Sequence, residues 1–379
     1  MKSAARIAKV EVFAAGMSCF VRLTTEDGIQ GVGESTAFAY PNAVAEVIRN
    51  FEPFLIGADA HDVEQNWLKM YRALGWRGLM LGGAISAIDQ AMWDIRARVF
   101  ETPVWHLLGG RSRKAVRGMK VVWGVTKEDL INDSLKAQKE GYTAIKIILH
   151  QHDHHLMRHA EKIADLVDRM ASLRDAVGNT LDIGVELHRN MQPGNSIALI
   201  EELMPFRPLF VEDPIPPDSV LSFAEVSAKV KTPMAAGERN TSIYEFREYI
   251  EHAGLAFVRP DIGIAGGFTH VRKICAMAEA HHQGILPHAV PSGAIATMAH
   301  IHLGITVPNW EAQEHIDQNV DPVQQMVKRI PLVKDGWLYP FDEPGLGMEI
   351  NDAFFATNPP VTMHGINPDL REDGSVALR

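Results

Sequence analysis

Three segments of this chain have the same shape: an apolar run that ends in an acid. They read IGVELHRN with Glu186, PLFVEDPIPP with Glu212, and TPMAAGERN with Glu238, and the glutamates are 26 residues apart at each step. That interval fits one strand, one helix and two short loops, the repeating unit of a parallel α/β protein. Acids at the C-terminal ends of successive parallel strands converge on one point, the end of a (β/α)8 barrel where active sites form. Three close carboxylates repel one another and do not all ionise unaided. A divalent cation resolves the conflict, and hard oxygen ligands with open positions suit Mg2+ better than Zn2+.

The later strands continue the series. Asp261 follows residues 257–260, His288 follows 285–287, and Glu314 follows 310–313. Every strand from the third to the eighth therefore ends in an ionisable group at one rim. Asp261 and His288 come from neighbouring strands. A carboxylate bonded to an imidazole fixes its tautomer and raises its basicity, as a general base needs. His188 lies two residues after Glu186, so strand alternation puts both side chains on one side. Two histidines flanking one substrate suit proton removal followed by loss of a leaving group. Glu314 would hydrogen-bond a substrate carboxylate or the enediolate, if protonated or bridged by a donor.

The elements that hold these residues follow from pattern. Residues 7–13, 19–25 and 31–34 read as strands, with a turn at Glu26-Asp27-Gly28. Residues 34–42 read as a polar loop. Residues 43–54, 62–74 and 83–98 read as helices, with Asp89 and Asp94 as polar contacts. Strands followed by helices, without alternation, make a separate α+β unit. From residue 119 the pattern alternates. Strands are expected at 119–123, 144–148, 182–187, 209–212, 234–237, 256–259, 284–287 and 310–313, and helices at 127–140, 155–177, 197–204, 220–229, 243–253 and 268–281. The fold class is α/β: a (β/α)8, modified TIM, barrel with an N-terminal α+β capping domain completed by the C-terminal segment. The expected division is 1–116, 117–335 and 336–379. The stretch HQHDHHLMRH, residues 150–159, reads as a solvated loop rather than a transition-metal site.

Composition sets the class. The 379 residues are 46% hydrophobic and 22% charged, enough for a sizeable core. A net charge of -10 argues against nucleic acid and anionic membranes as partners. Cys19 and Cys275 are too few for a disulfide framework, which favours a reducing, cytoplasmic setting. No signal peptide and no run long enough to cross a bilayer is evident.

These motifs resemble the enolase superfamily in its mandelate racemase group, most closely the galactonate and mannonate dehydratase-like branch. In the capping domain the likeness rests on EDGIQGVGES and AISAIDQAMWDIRARVFETPVWHLLGG. In the barrel it rests on VELHRN, LFVEDPIPP, AAGERN, RPDIGIAGGFTH, LPHAVPSG and NWEAQE, and near the C-terminus on DEPGLGMEIN and REDGSVALR. The resemblance implies Glu186, Glu212 and Glu238 as Mg2+ ligands, Asp261–His288 as the base dyad, and His188 as the acid that helps the 3-hydroxyl leave. Glu314 would contact the substrate, and Arg239, Asn240 and Trp310 are candidate substrate contacts. The loop at 34–42 would close over the substrate, and a homo-oligomer is expected.

Three positions depart from the pattern. The first ligand is commonly Asp and is Glu186 here. A racemase-type Lys-x-Lys is absent, because Ile148 stands two residues after Lys146. Arg189-Asn190 follow His188 where relatives often have Gly then Arg. The implied activity is Mg2+-dependent dehydration of an acid sugar, an aldonate, to a 2-keto-3-deoxy acid. An epimerase or cycloisomerase on the same site, or a sugar-acid binding protein with little or no catalysis, remain open alternatives.

Overall fold

The computed structural model describes residues 5–73, 75–150, 152–358 and 368–377. The end of the helix expected to residue 74, Gln151 in the histidine-rich stretch, and parts of the C-terminal segment (359–367 and 378–379) lie outside them.

The capping domain starts with an antiparallel meander, β1 (Ile7–Ala15), β2 (Ser18–Thr25) and β3 (Gln30–Ser35). Gly28, at φ +81°, closes the second turn in a conformation that favours glycine. The helices α1 (Pro41–Leu55), α2 (Val63–Ala73) and α3 (Leu79–Val99) cover the sheet, and the short α4 (Val104–Leu107) leads out. In α3 every residue from Gly82 to Ile95 is buried, because the helix lies between the sheet and the barrel. It approaches β3 closely: a Cβ on Gly33 would collide with the Ala87 carbonyl and lie 2.9 Å from Gln90 Cβ.

The polar side chains of α3 tie the two domains together. Gln90 Nε2 donates to Glu34 O at 2.9 Å and to Ile262 O at 3.2 Å. Ser86 Oγ accepts from Gly266 N at 2.8 Å, and Asp89 Oδ1 from Thr269 N at 3.1 Å. The expected polar contacts of Asp89 and Asp94 include backbone N–H groups; Asp94 accepts from Val32 N at 2.9 Å, Leu346 N at 2.8 Å and the Arg98 side chain at 3.0 Å.

The barrel strands are β4 (Val116–Val122), β5 (Ala144–Ile148), β6 (Asp182–Glu186), β7 (Phe210–Glu212), β8 (Met234–Ala236), β9 (Phe257–Val258), β10 (Gly284–Ile285) and β11 (Gln313–His315). All neighbours pair in parallel from β4 to β10. β11 pairs with β4, and Ile285 bridges to Trp310, so the sheet closes. Between them run α5 (Lys127–Lys139), α6 (His159–Val177), α7 (Pro193–Leu203), α8 (Val220–Ser227), α9 (Ile243–His252), α10 (Gly267–Ala280) and α11 (Ala294–Gly304). An apolar plug of Met119, Ala144, Phe210, Ala235, Leu286 and Ala312 fills the interior.

Several boundaries differ from the sequence reading. Glu34 and Ser35 belong to β3, so the polar loop shrinks to residues 36–40. Glu34 is fully buried and accepts from Gly293 N at 2.8 Å and Ala296 N at 2.9 Å, capping the N-terminus of α11. Helix α11 was not anticipated; all of its residues are buried, so it has no polar face to produce a period. His152–His155 form a 3-10 turn, and α6 starts only at His159.

Among the described residues no α-helix follows β11 before α12 (Asp352–Thr357), only a short 3-10 turn at Val323–Met326. The chain instead forms a hairpin, β12 (Leu332–Lys334) and β13 (Trp337–Tyr339), which pairs antiparallel with β4. It then returns to the cap, where Phe355 packs on Phe13 and Phe20 and Asp352 Oδ2 accepts from Arg22 at 3.0 Å. Both cysteines are buried free thiols. Among the described residues no helix is long and apolar enough to cross a membrane.

Gly33→Ala should displace α3 from the sheet. The expected cost is about 1–3 kcal/mol or more, read as a lowered midpoint in thermal or urea denaturation; an unchanged midpoint would contradict the close approach.

Candidate active site

Glu186 and Glu212 are register partners on β6 and β7, and Glu238 stands two residues past β8. All three are buried, and one oxygen from each lies within 4.8 Å of the others. Among the described residues this is the one acidic or histidine group arranged to hold a metal ion.

Each carboxylate has one oxygen fixed by the protein. Glu186 Oε1 accepts from His188 N at 2.7 Å, and Glu212 Oε1 pairs with Arg259 Nε. Glu238 Oε1 pairs with Arg189 Nη1 at 2.6 Å and Arg239 Nε at 3.2 Å. The other oxygens of Glu186 and Glu212 meet Lys146 Nζ at 3.3 and 3.2 Å, and Glu238 Oε2 faces His288 Nε2 at 3.6 Å. Lys146 also reaches Glu314 Oε1 at 2.9 Å, and Arg259 pairs with Glu314 Oε2. Arg189 binds Asp213 Oδ2 at 3.0 Å.

The charges in this buried network do not balance. Five buried carboxyl groups (Glu186, Glu212, Glu238, Asp213 and Glu314) meet three buried cations (Lys146, Arg189 and Arg259), with the half-exposed Arg239 at the edge on Glu238. Acids outnumber buried cations, and burial holds Asp213 up at about 7 and Glu212 at about 8; a divalent cation among them would favour their ionised forms. The strain shows in the titration of the acids. Burial pushes the Glu186 and Glu212 carboxyls up, against the pull of Lys146 and Arg259. Burial opposes ionisation of Glu314 too, but Lys146 and Arg259 hold it down at about 2. The donor set, all hard carboxylate oxygens, fits Mg2+.

The dyad lies beside the triad. His288 Nδ1 and Asp261 Oδ2 are 2.8 Å apart. Asp261 Oδ1 accepts from Thr36 Oγ1 and from Gly263 N, both at 2.7 Å. Burial disfavours the charged imidazole, yet the Glu238 charge and the Asp261 hydrogen bond raise His288 to about 9. His188 has left the strand: it and Arg189 occupy left-handed backbone at φ +52° and +65°. Alternation therefore does not govern its direction. The same backbone explains why glycine suits position 189, since a side chain there costs roughly 1–3 kcal/mol. Burial first, then Arg189, push His188 down to about 4.

Of the remaining candidates, Arg239 is half exposed beside Glu238, and Asn240 is buried with its Nδ2 unpartnered. Trp310 is not with them. It bridges to Ile285 below the rim, is 3% exposed, and packs in the outer core, where a Cβ on Gly304 would touch its ring. Its backbone position at the entry of the eighth strand, not its exit, keeps it from the site. Thr36, Lys146, Arg189 and Arg259 belong to the site without having been assigned roles from sequence. Lys146 and Arg259 carried a signal: each is a cation within an apolar strand, AIKII and FVRP. Thr36 carried none, because its partner is 225 residues away. The histidine-rich stretch forms no ligand cluster among the described residues; His154 Nε2 pairs with Asp165 Oδ2 at 2.7 Å.

Comparison with known proteins agrees with this geometry. Residues 7–109 match the family model for the mandelate racemase / muconate lactonizing enzyme N-terminal domain, and residues 130–354 match the enolase C-terminal domain-like model. The chain is 34% identical to a D-galactonate dehydratase of Verminephrobacter eiseniae, over 94% of this chain and 95% of the relative. It is 32% identical, with the same coverage, to the D-galactonate dehydratase of Pectobacterium atrosepticum. An enolase crystal structure from Agrobacterium radiobacter, described as a candidate galactarate dehydratase bound to sodium and L-malate, superposes with a TM-score of 0.93. It is 26% identical and covers 99% of this chain and 100% of its own.

Arg259→Met should strand two buried carboxylates, Glu212 and Glu314. Breaking a buried pair costs about 3–5 kcal/mol, so urea unfolding of the metal-free variant should show a loss of that order, and a loss below about 1 kcal/mol would be inconsistent with the network.

Proposed function

We propose a reaction for a chain that belongs to the mandelate racemase / muconate lactonizing enzyme family of the enolase superfamily. It is a hydro-lyase that dehydrates an acid sugar, an aldonate such as galactonate, mannonate or gluconate, to the 2-keto-3-deoxy acid. The observation that carries this reading is the placement of a buried carboxylate triad and an Asp–His dyad at one rim, with His288 Nε2 3.6 Å from Glu238. The full-length relatives named D-galactonate dehydratase support the substrate class.

A proton next to a carboxylate is weakly acidic, so its removal needs both a base and charge stabilisation. Glu186, Glu212 and Glu238 would hold a Mg2+ ion, which when bound would supply Lewis-acid stabilisation of charge on the substrate's carboxylate end. Asp261 holds His288 through Nδ1, and Nε2 would take the C2 proton once a cation on Glu238 offsets the charge that otherwise raises the ring to about 9. Thr36 and Gly263 hold Asp261 in turn, so the cap helps to orient the base. The C2–H electron pair moves into the enediolate, then forms the C2–C3 double bond as the C3–O bond breaks. His188 gives its proton to the departing hydroxyl, which leaves as water. Its ring is neutral in the free protein, and an anionic substrate beside it favours the charged form. The enol then ketonises. Glu314 is held ionised and acts through Lys146, the donor that bridges it to the triad.

The histidine roles separate in D2O with D-galactonate and Mg2+. His288→Asn should lose both C2 exchange and product, with kcat reduced roughly 10²–10⁴-fold. His188→Asn should keep C2 exchange and lose product. Retention of product by both variants would sink the assignment, and wild-type exchange without keto acid would mark an epimerase.

A further inference from the structure

Strand β3 of the cap meets the barrel with its last residues. Its odd-numbered positions press on α3. A Cβ on Gly31 or Gly33 would collide with the carbonyls of Ala91 and Ala87, and a Cβ on Gly83 of α3 would meet Ser35 Oγ at 2.5 Å. Alternation turns Glu34 and Thr36 to the other side. There they reach the two loops that carry the dyad. Thr36 Oγ1 donates to Asp261 Oδ1 at 2.7 Å. Glu34 reaches the far end of the segment that starts at His288: its Oε1 accepts from Gly293 N at 2.8 Å and its Oε2 from Ala296 N at 2.9 Å. Gln90 fixes Glu34 from behind. Its amide accepts from Glu34 N at 3.1 Å and donates to Glu34 O at 2.9 Å.

Helix α11 depends on that carboxylate. Its N-cap residue is Gly293, which has no side chain to satisfy the first N–H groups. The acceptor comes instead from the other domain, 259 residues away in the chain. The fit leaves no slack: a Cβ on Gly293 would lie 2.9 Å from Glu34 Cδ. The segment behind His288 is thus held at both ends. At its start Arg259 Nη1 donates to Leu286 O at 2.9 Å, and Ala289 N donates to Glu314 Oε2 at 3.3 Å. Further on, Gln318 Nε2 donates to Ser292 O at 3.0 Å. At its end stands Glu34. We propose that Glu34 is a positioning residue for the base: it fixes Gly293 and the start of α11, and through the segment 288–293 it sets the aim of His288 Nε2. One strand end then holds both halves of the dyad, Asp261 through Thr36 and His288 through Glu34. The proposal rests on the reading of His288 as the base. A misplacement of about 1 Å costs up to about 10²-fold in rate. Binding should change little, because Glu34 bonds the backbone of α11 and not the triad.

The test has two readouts. One is the kinetics of keto-acid formation from D-galactonate, D-gluconate and D-mannonate with Mg2+. The other is the His288 Nδ1–H proton in the NMR spectrum, assigned by its loss in His288→Asn. Two variants disturb the same contact from opposite sides. Glu34→Gln removes the charge and turns an N–H donor toward N–H groups. Gly293→Ala, at φ -81° where alanine is unstrained, pushes a methyl group into the carboxylate. Each should lower kcat at least about tenfold and leave KM within about twofold. In each the dyad proton should shift or broaden while the amide signals of the folded protein persist. The double variant should lose about as much as the worse single one, because both act on one contact. Unchanged kcat and an unchanged dyad proton in the folded variants overturn the proposal. So does a loss of activity that only tracks the unfolded fraction, with kcat per folded molecule intact. Wild-type turnover with both readouts indifferent to Glu34 would overturn this inference alone. Absence of wild-type turnover, with the dyad proton still dependent on Glu34, would overturn the dehydratase reading and leave the positioning role standing. Neither keto acid nor a dyad proton in the wild type would overturn both.

Discussion

The structure turns on a buried excess of negative charge. Glu186, Glu212, Glu238, Asp213 and Glu314 are taken out of water against three buried cations, Lys146, Arg189 and Arg259, with Arg239 at the edge of the site. Burying a charge without a partner is costly, so every buried cation in the network is committed to at least two acids. Arg259 fixes one oxygen of Glu212, Arg189 one of Glu238, and the His188 N–H one of Glu186, which leaves the others converging. The departures from the family pattern are read best in this light. Glu186 is longer than the usual Asp and folds its extra reach back onto the His188 N–H. Arg189, at a left-handed position, carries a guanidinium into the gap between Asp213 and Glu238.

The cap is bonded directly to the loop that carries the proposed base dyad. Its third strand delivers Thr36 to Asp261 and Glu34 to the start of α11, while α3 supplies Ser86, Asp89 and Gln90 to the backbone around 262–269. The loop carrying Asp261 is thus clamped from the side away from the substrate. A base that must hold its direction within a fraction of an ångström gains from that support. The barrel's missing last helix has the same logic: the chain after β11 returns to the cap instead, and its aromatic contacts with Phe13 and Phe20 join the two ends of the protein.

Much of this was legible in the sequence, for physical reasons. Strand ends repeat at a fixed interval, so Glu186, Glu212 and Glu238 announce themselves, and Asp261 and His288 follow from the same rule. Elements with one wet face were also readable. Helix α11 was not, because burial on all sides erases its period, and neither was the start of the eighth strand, which lies three residues beyond the expected start at Trp310. Thr36 was hidden because a contact across 225 residues leaves no local trace. For His188 strand alternation is the wrong guide, because the residue sits in a left-handed turn past the strand end.

The central claim is that this site performs cation-assisted dehydration of an acid sugar. The most direct test is to incubate the purified protein with a panel of aldonates and aldarates, with Mg2+ or with EDTA, and to measure 2-keto-3-deoxy acid as its semicarbazone. The account predicts product from at least one aldonate with Mg2+ and none with EDTA. Product formation that survives complete removal of divalent cations, or no product from any acid by a protein shown to hold Mg2+, would contradict it.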